Sequence, residues 1–141
     1  MQIIKIFVII YLENERGDFM SREVYGIVQY MTNKGAWENV PLYTEDNKLV
    51  ELYFCGDYMY DALKDDCYNL EASDAVALND ALGYDDDDNP DWKVIHLGSV
   101  KYLATIEVDC AELANKMQLV AEFANIYATA DQIRFVYYLS Y

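Results

Sequence analysis

Asp57, Asp61 and Asp65 recur at every fourth residue. If that segment is helical, a rise of about 1.5 Å per residue sets their carboxylates roughly 6 Å apart on one stripe. Such a pitch resembles that of successive phosphates along a nucleic-acid strand, so a rigid stripe of this kind would suit a basic groove built for DNA or RNA. Like charges four residues apart destabilise a helix by a few tenths of a kcal/mol, roughly, so local folding does not account for the choice. Asp66, Glu71, Asp74, Asp80 and the run Asp85, Asp86, Asp87 and Asp88 extend the acidic stretch. Tyr58, Tyr60, Tyr68 and Tyr84 interleave with it, and Trp92 adjoins it. Aromatic side chains of this kind anchor protein interfaces. The candidate partner-binding set is therefore Asp57, Asp61, Asp65, Asp66, Asp74, Asp85, Asp86, Asp87 and Asp88 for charge, with Tyr58, Tyr60 and Trp92 for contact. The plain alternative is a solvated carboxylate face that serves solubility.

Other chemistry finds less support. Asp85, Asp87, Asn89 and Asp91 alternate as calcium-loop ligands do, but Pro90 and His96 stand where an EF-hand needs glycine and glutamate. No dedicated metal site is expected, and loose divalent binding by the aspartate run stays open. His96 is the sole histidine, with Ile95 and Leu97 beside it, and reads as a partly buried strand residue. Cys55, Cys67 and Cys110 are odd in number and widely spaced, which signals neither a disulfide framework nor a zinc module. The six glycines form neither a G-x-G-x-x-G nor a Walker loop, so no nucleotide cofactor is expected. No catalytic residue is assigned, and the chain reads as a non-enzyme.

Between Asp57 and Asp91 twelve carboxylates face one base, Lys64, so this quarter of the 141 residues holds eleven of the fifteen net negative charges. A field that one-sided repels nucleic acid and favours a basic partner. With 54% hydrophobic residues and fourteen tyrosines, the chain has the material for a core, which acidic disordered chains lack. The run Ile3 to Leu12 is too short to span a bilayer and is followed by charged residues without a cleavage site, so it is expected to be a buried strand of a cytoplasmic protein.

The elements that would position the acids follow from periodicity. Ser21 is a plausible cap for a helix with Val24, Ile27, Val28 and Met31 on its face, weakened by Gly26. Asn33 to Pro41 reads as a loop, and Leu49 to Phe54 as a strand ended by Gly56. A helix begins at Asp57 with Met59, Leu63 and Cys67 inward. A second, Asp74 to Leu82, takes Ser73 as cap, Ala75, Leu78 and Leu82 as core contacts and Gly83 as stop. Asp85 to Asp91 is expected as an exposed loop. Val94 to Leu97 and Lys101 to Val108 suggest a hairpin around Gly98 and Ser99. Asp109 and Glu112 form a capping-box arrangement for a helix to about Tyr127 that buries Leu113, Met117, Val120 and Ala124. Ile133 to Leu139 alternates as a half-buried strand would. Together these predict one α+β domain over residues 1 to 141, a mixed or antiparallel sheet on two to four helices, with an acidic helical insertion at about 57 to 91.

A short, Tyr-rich, strongly acidic α+β chain with aspartate stripes resembles the DNA-mimic inhibitors of phages and mobile elements, such as ArdA-type antirestriction proteins and anti-CRISPR proteins. The resemblance lies in composition and in residues 57 to 91. It implies inhibition by occupancy: the acidic face covers a basic, DNA-binding or PAM-reading surface of a nuclease complex inside a bacterial host. The alternatives are an acidic assembly protein that dimerises through a C-terminal edge strand rich in Tyr137, Tyr138 and Tyr141, and a weak divalent-cation binder.

Overall fold

A computed structural model describes residues 22–84 and 90–140. The expected strand at Ile3 to Leu12 and the aspartate run Asp85 to Asp88 lie outside them, as does Ser21.

Strand β1 (Glu23–Met31) occupies the segment in which a helix was expected. The spacing of Val24, Ile27 and Val28 suits a helical face, but it equally suits a strand covered on both sides. Val24 and Val28 enter one core and Ile27 the other. Gly26 settles the matter sterically. It sits opposite Tyr137 of β6 (Ile133–Ser140), and a Cβ there would overlap the Val136 carbonyl oxygen and lie 2.7 Å from the Tyr137 Cβ. The expected loop after Met31 contains strand β2 (Trp37–Asn39), which folds back on β1 through a turn with Gly35 at φ 79°. Strand β3 (Leu52–Cys55) pairs with the other end of β1 along the same edge.

The sheet continues from β6 to β5 (Lys93–His96) and then to the two-residue β4 (Tyr68–Asn69), and every pairing is antiparallel. Together the described residues form a six-stranded antiparallel sheet with four α-helices, a single-domain α+β arrangement. Helices α1 (Asp57–Asp65), α3 (Leu97–Leu103) and α4 (Val108–Phe123) supply the main core. There Met59, Leu63, Val100, Leu113 and Met117 meet Val24, Phe135 and Tyr137 of the sheet. The opposite sheet face is covered by α2 (Ala72–Leu82), through Leu78 packed with Trp92, Val94, Val136 and Ile27. The segment from Asp57 to Tyr84 is thus woven through both cores and the sheet, and does not stand off the domain as an insertion.

Three further expectations change. Strand β6 is buried on both faces over Ile133–Tyr137, because α2 and Trp92 cover the side that would otherwise meet water. Its Arg134 to Tyr137 stretch is paired with β1 and β5 together, so the aromatic C-terminal strand is an interior strand where the dimer alternative needed an edge. The expected second arm, Lys101 to Val108, holds instead the end of α3, a turn and the first residue of α4: Leu97, Val100 and Leu103, three residues apart, are buried, while Tyr102, Ile106 and Val108 are exposed. Helix α4 begins at Val108, and the cap is the Glu107 carboxylate accepting from the Asp109 amide, in place of an Asp109–Glu112 box. Helix α2 starts at Ala72 without a side-chain cap, so Ser73 lies within its first turn, and Gly83 ends it at φ 75° as expected. Among the described residues no helix is long and apolar enough to cross a membrane.

Candidate functional site

Gly56, at φ 154°, breaks β3 and starts α1, whose Met59 and Leu63 are fixed in the main core. Tyr137 strengthens that anchorage: from the central strand its hydroxyl donates to the Leu63 carbonyl at 2.6 Å. Asp57, Asp61 and Asp65 therefore project from the side of α1 opposite its buried residues, and all three are exposed. Asp66 follows at the C-cap, and Tyr58 is 72% exposed beside the stripe. The stripe is not wholly unpaired. Asp61 accepts from Arg22 at 3.1 Å and lies 3.3 Å from the Lys64 ammonium, so four carboxylates face two cations along this helix. Arg22 also lies over the ring of Tyr60, a residue of α1 itself, at 5.1 Å, so it contacts the helix at two side chains.

The remaining predicted residues separate from this group. Asp74 sits on α2, which packs on the other face of the sheet, and its Oδ2 is 3.8 Å from Arg134 Nη2. Trp92 is 3% exposed, with its indole N–H donated to Asn79 at 2.9 Å, so it is a core residue and is unavailable as a surface contact. The helices thus divide the acids between two sides of the molecule, with α1 carrying the compact set. Among the described residues no group of three or more His, Cys, Asp or Glu side chains could hold a metal ion.

Two side chains with covalent potential, His96 and Cys110, have displaced pKa values. His96 ends β5, with Tyr68 Oη 3.2 Å from its Nε2 and the Trp37 ring 5.4 Å away. Burial and the Arg134 charge lower its pKa, leaving a neutral imidazole at pH 7. The three cysteines are reduced, and burial, then the Glu107 and Asp109 charges, pushes the Cys110 thiol up to about 11.

Sequence reasoning missed a second feature, on the sheet face that α2 covers only in part. Tyr25, Tyr53, Tyr84 and Tyr138 converge there with Glu51 around an open cavity of about 470 Å³. The first two and Tyr138 come from adjacent strands, and Tyr84 arrives from the end of α2. The tyrosines lie far apart in sequence, and the wrong helical assignment of β1 hid the register that places Tyr25 opposite both Tyr53 and Tyr138. Alternation along a correctly assigned β1 was the one usable signal.

Comparison with protein-family models finds no match to this chain, and comparisons with curated proteins and with solved structures find none either.

Proposed function

We propose that the chain is a non-enzymatic interaction protein whose α1 surface docks on a basic surface of a partner, of the kind that nucleic-acid-binding and nuclease complexes present. The observation that supports this reading most is the display of Asp57, Asp61, Asp65 and Asp66 on the solvent side of a helix whose other side is locked into the core. A locked helix keeps the carboxylates at fixed pitch, so a partner meets a preorganised charge array and gives up little ordering entropy on binding. Tyr58 supplies an aromatic contact at the rim. Inhibition would follow from occupancy: while α1 covers the groove, phosphates cannot enter it. Asp74 and Trp92 take no part, and the partner-facing set contracts to α1 and its flank.

The test begins with a pull-down from a bacterial lysate at low ionic strength, eluted by a salt gradient. The retained partner should elute steeply between about 50 and 200 mM salt, and a double-stranded DNA in excess should displace the chain from it. Replacing Asp57, Asp61 and Asp65 together by Asn should weaken that complex at least tenfold, roughly the loss of 1.4 kcal/mol. The same variant should stay within about 1 kcal/mol of the parent stability, because relief of the like charges offsets the exposed pairs to Arg22 and Lys64. Retention of the partner at undiminished affinity by the triple variant would sink the reading.

A further inference from the structure

The four-tyrosine cavity has a chemistry of its own, independent of α1. Tyr25 and Tyr138 stack at 5.2 Å with 16° between their planes, Tyr53 tilts against Tyr25 at 4.8 Å, and Tyr84 meets Tyr138 edge-on at 6.4 Å. Their rings therefore stand at several angles around one opening, where a single stacked column would leave no concave wall. The hydroxyls are drawn back towards carboxylates. Tyr25 donates to Glu23 Oε2 at 3.1 Å, Tyr53 donates to the same oxygen, and Tyr84 donates to Glu51 at 3.2 Å. A phenol that donates to a carboxylate keeps its proton while its ring gains electron density, and that strengthens its attraction for a cation. Burial raises the pKa of Tyr25 to about 12 and those of Tyr53, Tyr84 and Tyr138 in the same direction, so all four rings are neutral phenols at physiological pH.

Glu51 gives the cavity its sign. Its carboxyl lines the same opening, and desolvation raises its pKa against the opposing pull of Tyr84 and Lys48. A carboxylate short of compensation, inside an aromatic wall, attracts a positive charge. A compact, strongly hydrated ammonium resists losing its water to aromatic carbon, whereas a methylated ammonium spreads its charge over methyl groups that pack on ring faces. The volume of about 470 Å³ lies within the range of small-ligand sites, about 300 to 1,000 Å³.

We propose that Tyr25, Tyr53, Tyr84 and Tyr138, with Glu51 and Glu23, form an aromatic cage that binds a methylated ammonium group. The trimethylammonium head is the shared chemistry of two sources, a free small cation and a trimethylated lysine side chain.

The probes are choline chloride, acetyl-trimethyllysine amide, unmethylated acetyl-lysine amide, and 3,3-dimethylbutan-1-ol, which has the shape of choline without its charge. Each is titrated into the full chain at matched ionic strength while the tyrosine ring resonances are followed by NMR. Choline or the trimethyllysine amide should shift the ring signals saturably, at least tenfold more tightly than the unmethylated amide or the neutral alcohol. The tighter of the two methylated probes identifies the source. Tyr53→Leu, on a half-buried ring of β3, and Glu51→Gln should each weaken the methylated probe by about tenfold while the circular dichroism of the fold is kept. The proposal is overturned if neither methylated probe shifts the rings, or if the neutral alcohol binds as well as choline. Because the probes test the parent protein directly, poor folding of either variant leaves the decision intact.

Discussion

Replacing Gly26 by alanine separates the observed strand from the helix that local sequence suggests. In β1 the added methyl would overlap the Val136 carbonyl oxygen and approach the Tyr137 Cβ and Phe135 Cε1 to 2.7 and 2.8 Å. None of these atoms is the loose end of a flexible side chain: one is backbone, one is a Cβ on the facing strand, and one belongs to a ring fully buried in the main core. Relief requires β1 and β6 to part, and their pairing runs from Glu23 to Tyr30. Overpacking of this kind costs about 3 kcal/mol. For a chain of this length, that lowers the melting temperature by about 10 °C. Were residues 23 to 31 helical, the same change would stabilise by about 1 kcal/mol, because alanine is the better helix former. The sign of the effect therefore decides. Gly98→Ala serves as the internal comparison, since in α3 the new methyl would meet only the Ala130 Cβ at 3.9 Å, an ordinary contact. It should be neutral or stabilising by up to about 1 kcal/mol. Urea melts of the two variants beside the parent give both numbers, and a Gly26→Ala protein as stable as the parent would refute the β1–β6 register.

Tyr137→Phe should cost about 1 to 2 kcal/mol, read by the same melts, because the buried Leu63 carbonyl loses its 2.6 Å donor. Loss below a few tenths would mean that the Tyr137 hydroxyl does not hold α1. Glu51→Gln tests linkage. Desolvation raises the folded-state pKa of Glu51 above its ordinary 4.5, so the folded chain keeps this proton at pH values where the unfolded chain has released it. Stability then declines as pH rises from about 4.5 through the raised value, and levels off above it. Tyr84, Lys48 and Tyr138 act on that carboxyl or sense it and are unchanged in the variant, which should lose this part of the decline and be more stable than the parent at neutral pH. A pH series of melts in which the two proteins run parallel would count against a desolvated Glu51.

Sequence periodicity located α1, α2, β3 and α4 because each has one buried face and one wet face. Met59 and Leu63, or Leu113 and Met117, then repeat at the period of their own backbone. It failed where burial is two-sided or coincidental. In β1, Val24, Ile27 and Val28 serve two cores, and their spacing imitates a helical stripe. In residues 101 to 108, Tyr102, Ile106 and Val108 alternate like a strand yet are exposed, while the inward set is Leu97, Val100 and Leu103. Trp92 failed for a different reason: adjacency to the acids in sequence says nothing about side-chain direction, and its N–H found Asn79 across the second core. The α1 stripe was legible because it depends on one helix alone. The tyrosine cage was not, because it joins three strands and the end of a helix through pairings that no local pattern encodes.

Cys110 gives the molecule a built-in clock. Its sulfur is sealed within the main core and its thiol stays protonated well above neutrality, whereas Cys55 and Cys67 sit only half-covered. Alkylating reagents attack thiolates, so capture at Cys110 waits on the opening of α4 from the sheet, and the lag between its labelling and that of the other two sulfurs times the protein's own breathing.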